Sequence, residues 1–281
     1  MSALAMDRVV ERVQQLPSLN QVVNEVLHSF DDEDVDIPSL VSKISRDQGL
    51  AARVLRVANS AFYGLSSHVS SVNEAVVVLG FYSIRSLVVA AGIINQFPNS
   101  AGKTFDRLEF WQHAIGVGVC AKIIAARLGQ DMETAFTAGL LHDVGILVLD
   151  AYFHDEFEQV LSCRAASDCT IIEAEMATLQ VTHAQIGYEV AKRWKFPLPI
   201  QLAIRDHHHP DQGAPALLTD NVHLANVLCH ALEIGNASYD MVPPLSALAW
   251  ERLGLSWDEL GEMLGEIEHL NASANLLAME E

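Results

Sequence analysis

Gly139-Leu140-Leu141-His142-Asp143-Val144-Gly145 sets an imidazole beside a carboxylate in an otherwise apolar helical run. Two neighbouring groups that are costly to bury need a shared ligand or hydrogen-bond partner, and a metal ion suits both. Ten of the twelve histidines lie beyond residue 100. Those with local context are His113 in Phe110-Trp111-Gln112-His113-Ala114, His183 in Thr182-His183-Ala184-Gln185, and the triplet His207-His208-His209 before Pro210. His183 falls in the first turn of its helix, where the positive end of the dipole favours the neutral, ligating imidazole. Each also has a plainer reading on its own: His113 as a satisfied core or surface residue, the triplet as a solvated helix end near the last carbonyls. Adjacent helical residues point about 100° apart, so His142 and Asp143 reach one ion only if it sits in a cleft beside their helix. Gly139 and Gly145 leave room there for a neighbouring helix or a ligand.

The elements that must position these residues are all helical. Apolar residues recur three and four apart along nearly the whole chain and strand-like alternation is absent, which predicts an all-α protein. Helices are expected near 7–15, 19–30, 38–46, 48–60, 72–79 and 81–96, then 106–128, a single helix over 132–153 carrying the His-Asp pair, 154–164, 171–179, 183–194, 198–207 and 216–234, with two more between 245 and 279. Ser71/Glu74, Thr170/Glu173, Thr182/Gln185 and Ser256/Glu259 each read as a capping box. Gly129 reads as the residue that closes the helix over 106–128. Asp31-Asp32-Glu33-Asp34 reads as a solvated loop, and Asn59-Ser60-Ala61-Phe62-Tyr63-Gly64 as a structured turn. The breaker-rich stretch Pro98-Asn99-Ser100-Ala101-Gly102-Lys103 suggests a boundary. Three parts result: a helical block over 7–97, a second over 104–235 that carries the histidines, and C-terminal helices over 236–281 that pack back on the second block.

Composition narrows the function. A net charge of −19 over 281 residues repels nucleic-acid phosphates and there is no basic patch, so nucleic acid is not an expected partner. The most apolar region, 75–97, is broken by Ser83, Arg85 and Ser86, and its longest clean run falls short of the ~18 residues of a membrane span. With no secretory signal at the N-terminus, a cytoplasmic location is expected. Cys120, Cys163, Cys169 and Cys229 form no CxxC pair and read as buried, reduced thiols. Trp111, Trp194, Trp250 and Trp257 read as core or helix-packing residues.

The N-terminal block resembles the HDOD family, regulatory relatives of the HD phosphohydrolases in bacterial signalling. The resemblance rests on Leu16-Pro17 with Leu19, Ser45-Arg46-Asp47-Gln48-Gly49-Leu50, Leu55-Arg56-Val57-Ala58-Asn59-Ser60, and Ser71-Val72-Asn73-Glu74-Ala75 followed by Leu79-Gly80. Asn20 departs from the pattern, where the family often has a second proline. The histidine order is similar to the HD superfamily and most of all its HD-GYP branch, which hydrolyses cyclic dinucleotides at a two- or three-metal centre. The resemblance implies metal ligands at His113, His142, Asp143, His183, His207 and His208, with the last aspartate of the pattern replaced by Asn226. It also places Ile146 where active enzymes carry a lysine and His209 where they carry an acid. The glycine-tyrosine-proline loop is missing.

A neutral amide binds a hard cation less strongly than a carboxylate, so the Asn226 substitution weakens one metal position. The other, Asp143 with His183, His207 and His208, is intact, and one carboxylate with three imidazoles suits iron, manganese, nickel or zinc. Without a lysine at 146, a cation for substrate phosphate is missing. The reading that follows is an HDOD signalling module, non-catalytic or weakly active, that docks protein partners and retains part of a metal site. Its rival is a metal-dependent phosphohydrolase, with Asp143 in the catalytic centre, acting on a cyclic dinucleotide or nucleotide. A nucleotide sensor without turnover is a third option. Asn226→Asp is expected to raise metal occupancy in metal analysis of the purified protein; unchanged occupancy would mean that residue 226 does not face the site.

Overall fold

The computed structural model describes residues 4–30, 35–59, 68–94, 96–98, 105–235 and 241–278. The acidic run 31–34, most of the turn 59–64 and most of the boundary stretch 98–103 lie outside them. Sixteen helices and no strand are present among the described residues, as the three-and-four periodicity demands. The chain divides into two compact units, one of residues 1–17 with 97–255 and one of residues 18–96 with 256–281.

The smaller unit holds α2 (Gln21–His28), α3 (Ile37–Arg46), α4 (Gln48–Ala58), α5 (Val72–Leu79), α6 (Phe81–Ile94) and α16 (Trp257–Ala278). Its core is aliphatic, with Val23, Val26, Ile44, Leu50, Val54, Ile84 and Leu87 buried. The motif residues turn out to be caps and ties. Asn20 accepts from the Val23 N–H at 2.8 Å to start α2 and donates to Asp47 at 3.0 Å, a role that proline cannot fill. Asp47 accepts from the Leu50 N–H at 3.0 Å to start α4. Asn59 donates to the carbonyls of Leu55 and Val69 and accepts from the Val69 N–H, all within 2.7–2.8 Å, tying both ends of the segment between α4 and α5. Arg85, which interrupts the apolar run of α6, is buried with a hydrogen bond to the Ser29 carbonyl and its guanidinium 3.7 Å from the Phe30 ring centroid.

The larger unit holds α1 (Met6–Gln14), α7 (Arg107–Leu128), α8 (Met132–Leu141), α9 (Val144–Tyr152), α10 (His154–Ser167), α11 (Ile171–Thr178), α12 (His183–Arg193), α13 (Leu198–Asp206), α14 (Leu217–Ala231) and α15 (Ala247–Leu253). α7 packs against α8 and α14, α9 against α12, and α13 joins α12 to α14. Buried Asp150 anchors the start of α7 through two bonds from Arg107, which also reaches the carbonyls of Phe97 and Pro98. Gly129 closes α7 in the left-handed conformation, and the boxes at Thr170 and Thr182 form as the sequence suggests.

Several expectations change. The helix expected over 132–153 is two helices, broken at His142-Asp143. His142 bonds its own ring to the Gly139 carbonyl, and Asp143 stands at the start of α9 without capping it, because its carboxylate is turned toward imidazoles. The C-terminal helices divide: α15 packs on α14 and is held by Arg252 on buried Asp220, whereas α16 groups with residues 18–96. Periodicity marks an apolar face, here Leu260, Met263 and Ile267, but not what it faces. Trp257 is 71% exposed and Trp194 is buried, with Trp111 and Trp250 between. Cys120 and Cys229 are buried with sulfurs 3.4 Å apart, while Cys163 and Cys169 are only half-buried. Met132–Tyr152 is, among the described residues, the stretch long and apolar enough to cross a membrane, and 83% of its apolar window is buried within the fold.

Two glycines let the break sit at backbone distance from its neighbours. A Cβ on Gly139 would lie 2.8 Å from the Val117 carbonyl on α7, and one on Gly145 only 2.0 Å from the His183 carbonyl on α12. Gly145→Ala is therefore expected to lower the free energy of unfolding by about 3 kcal/mol in a denaturant titration, the upper range for overpacking. Gly261→Ala on exposed α16, where a Cβ meets nothing within 4 Å, is the control and should stabilise by about 0.5–1 kcal/mol. Equal effects at the two positions would show that α9 and α12 part freely.

Candidate metal centre

The larger unit brings every ligand-type residue of the sequence pattern except His209 to one place. His113 comes from the first half of α7, His142 and Asp143 from the break between α8 and α9, His183 from the first turn of α12, His207 and His208 from the end of α13, and Asn226 from the middle of α14. His142, His183 and His207 have no exposed surface. Asp143 is the hub. Its Oδ1 lies 3.0 Å from His183 Nε2 and 3.3 Å from His207 Nε2, and its Oδ2 lies 3.1 Å from His142 Nε2 and 4.0 Å from His113 Nε2. His208 Nε2 is 3.0 Å from His183 Nε2. Two clusters share the carboxylate: Asp143 with His183, His207 and His208, and Asp143 with His113 and His142.

The backs of the rings determine what the fronts can do. His142 Nδ1 donates to the Gly139 carbonyl at 2.7 Å and His207 Nδ1 to the Ile204 carbonyl at 2.9 Å. A carbonyl only accepts, so these rings carry their proton on Nδ1 and present a lone pair at Nε2. Those lone pairs face a carboxylate, which is acceptor against acceptor. His142 Nε2, His207 Nε2 and Asp143 Oδ1 are accordingly buried polar atoms with no hydrogen-bond partner. Such an arrangement is costly unless a cation lies among the acceptors. The separations of 3.0–3.3 Å approach the roughly 3.4 Å between donors on a tetrahedral ion with bonds of about 2.1 Å. The residues thus fit a metal ion.

The electrostatics agree. Burial, with His230 and His142 nearby, pushes His113 down to about 3, and burial pushes His207 down to about 4 and His208 well below the ordinary imidazole range. These rings are neutral and able to ligate at neutral pH. Burial works against the Asp143 carboxylate, but positive charge on the imidazoles beside it, His142 and His183, holds it well below its ordinary value whenever those rings are protonated. His183 is the exception. Burial opposes its charge, yet Glu175 and Asp143 push it up to about 10, so without a metal a proton on this ring supplies the positive charge.

Asn226 does face the site. Its side-chain amide lies 3.1 Å from His113 Nε2, while His113 Nδ1 lies 3.3 Å from the Ile234 carbonyl. The atom facing the ring is the amide Oδ1, so an acceptor oxygen stands at each ring nitrogen and the neutral ring donates to one of the two. Ile146 is buried in α9. His209 is exposed, so the triplet contributes two rings and not three.

Sequence reasoning missed three residues. Glu175, fully buried on α11, accepts from both the backbone N–H and Nδ1 of His183. Its signal was a carboxylate in the apolar register of Ile172 and Leu179, all three of them buried. The His230 ring lies with its centroid 4.7 Å from that of His113, tilted by 50°, one turn beyond Asn226 on α14. His223 donates from Nδ1 to the His207 carbonyl and accepts from the Ser246 N–H, bracing the end of α13. Neither was visible without knowing that α14 crosses the cluster.

Comparison with known proteins places this geometry. An HDOD domain protein of Geobacter sulfurreducens is 26% identical and superposes with a TM-score of 0.81 over 97% of this chain and 99% of its own. A protein of Shewanella amazonensis inferred to be a phosphohydrolase is 28% identical, with a TM-score of 0.68 over 96% of this chain and 93% of its own. An uncharacterised protein of Treponema pallidum is 26% identical over 243 residues, 84% of this chain, and the chain spans only 46% of that relative's length. The HDOD domain model itself matches residues 16–210, from the Leu16-Pro17 pair through the His207-His208 pair. With motif, helical architecture and histidine cluster in agreement, the chain belongs to the HDOD family.

Proposed function

We propose that the protein is a cytosolic regulatory module that docks signalling partners and carries a metal centre without efficient phosphodiester turnover. The observation that carries this reading is the Asn226 amide hydrogen-bonded to His113 where the HD pattern has a ligating carboxylate. Two-metal hydrolysis needs one ion to lower the pKa of a water and a second to share the charge of the phosphate. On this chain the His113-His142 cluster has Asp143 as its one carboxylate, shared with the other cluster, and its His113 ring is engaged by an amide. Buried Ile146 adds no cation for a phosphate. Asp143, His183, His207 and His208 would hold the ion, and iron, manganese, nickel or zinc suits one carboxylate with three imidazoles. When bound, such an ion supplies Lewis acidity and charge. The chain's own residues hold the rings in their ligating tautomer and keep the site dry.

The rival reading, a metal-dependent phosphohydrolase acting on a cyclic dinucleotide or nucleotide, is favoured by one observation, the Asp143 hub with the imidazoles of His183, His207 and His208 gathered around it. One experiment separates the two. Protein purified without added ions is analysed for metal, then assayed with iron, manganese and nickel against a generic phosphodiester and a panel of cyclic dinucleotides. Bound metal with no turnover is the expected result. Turnover that His142→Ala and Asp143→Ala each abolish would overturn it.

A further inference from the structure

Glu175 carries a charge that the ligand pattern does not use. It is a fully buried carboxylate on α11, and among the described residues no lysine or arginine bonds to it. Both of its oxygens are directed to one residue. Oε2 accepts from the His183 backbone N–H at 2.9 Å, and both oxygens lie 3.0 Å from His183 Nδ1. The opposite nitrogen of the same ring lies 3.0 Å from Asp143 Oδ1 and 3.0 Å from His208 Nε2. His183 is thus clamped between two buried carboxylates. His142, His207 and His113 instead have their Nδ1 atoms against neutral carbonyls, at Gly139, Ile204 and Ile234.

We propose that Glu175 is a positioning residue of the metal centre: bonded to the backbone and Nδ1 of His183, it fixes the ring with Nε2 toward Asp143 and His208 and supplies the second negative charge that lets the Asp143-His183-His207-His208 cluster hold one divalent ion. The inference rests on the metal-centre reading above and deepens it. Two carboxylates neutralise one divalent charge in a dry site, and no third carboxylate is present for a second ion, since residue 226 is an amide. A carboxylate behind a ligating imidazole also raises the basicity of the lone pair in front, which a neutral carbonyl does less well. The centre is therefore mononuclear, at the cluster that Glu175 backs. The His113-His142 cluster takes no ion of its own.

The test uses the full chain stripped of metal with a chelator, then titrated with Zn²⁺ against a chromophoric competitor and with Co²⁺ followed by its visible absorption. The wild type is expected to take one equivalent. Glu175→Gln keeps the size of the side chain but turns an NH₂ toward one of the two His183 donors, and should weaken Zn²⁺ binding about 10–100-fold. The same substitution in a His183→Ala background should change affinity less than about twofold, because Glu175 acts through that ring. A merely structural role predicts equal losses in both backgrounds, and that result, or an unchanged affinity in Glu175→Gln, would overturn the proposal. Two tight equivalents in the wild type would overturn its single-ion part. A wild type that takes up no metal would instead overturn the metal-centre reading itself. Should Glu175→Gln fail to fold by circular dichroism, Glu175→Asp, which keeps the charge on a shorter arm, carries the same comparison, with a smaller loss that again vanishes without His183.

Discussion

Acceptors that face each other in a dry interior are the constraint on which this structure turns. Asp143 meets the Nε2 edges of four histidines, and at least two of those edges are lone pairs by virtue of the carbonyls behind them. Such a group of atoms cannot satisfy itself, because every member accepts and few can donate. Positive charge must come from somewhere. A proton on His183 provides it in a metal-free state, and a metal ion answers the same demand with more partners at once.

The fold meets this constraint at the cost of helical continuity. An apolar sequence with helical spacing runs through 132–152, yet it breaks where His142 and Asp143 must reach the same point from adjacent positions. A straight helix would aim them about 100° apart. The break frees both side chains, and the glycines on either side allow α7 and α12 to approach until backbone touches backbone.

Within this frame the chain's departures from the HD pattern have a consistent physical effect. An amide at 226 gives His113 a neutral oxygen partner in place of a charged one, and buried isoleucine at 146 supplies no cation. Each change lowers the charge available for phosphate chemistry without disturbing the core. Both are compatible with a module in which the centre holds a helical surface in shape, which is the role proposed here.

The sequence alone determined the helical class, nearly every helix and the residues that gather in the histidine cluster, for local reasons. Periodicity of three and four, capping pairs such as Thr170/Glu173 and Thr182/Gln185, and residue types at His142-Asp143 and His207-His208 are written in short stretches of chain. What only the tertiary structure decided is everything that depends on distant residues meeting. Glu175 reaches His183 from the preceding helix, His230 lies against His113 from the far end of α14, and α16 groups with a unit that begins more than 230 residues earlier. The break at His142-Asp143 belongs to the same class. Its local sequence is a good helix, and only the imidazoles brought in from α7, α12 and α13 give Asp143 a reason to leave it.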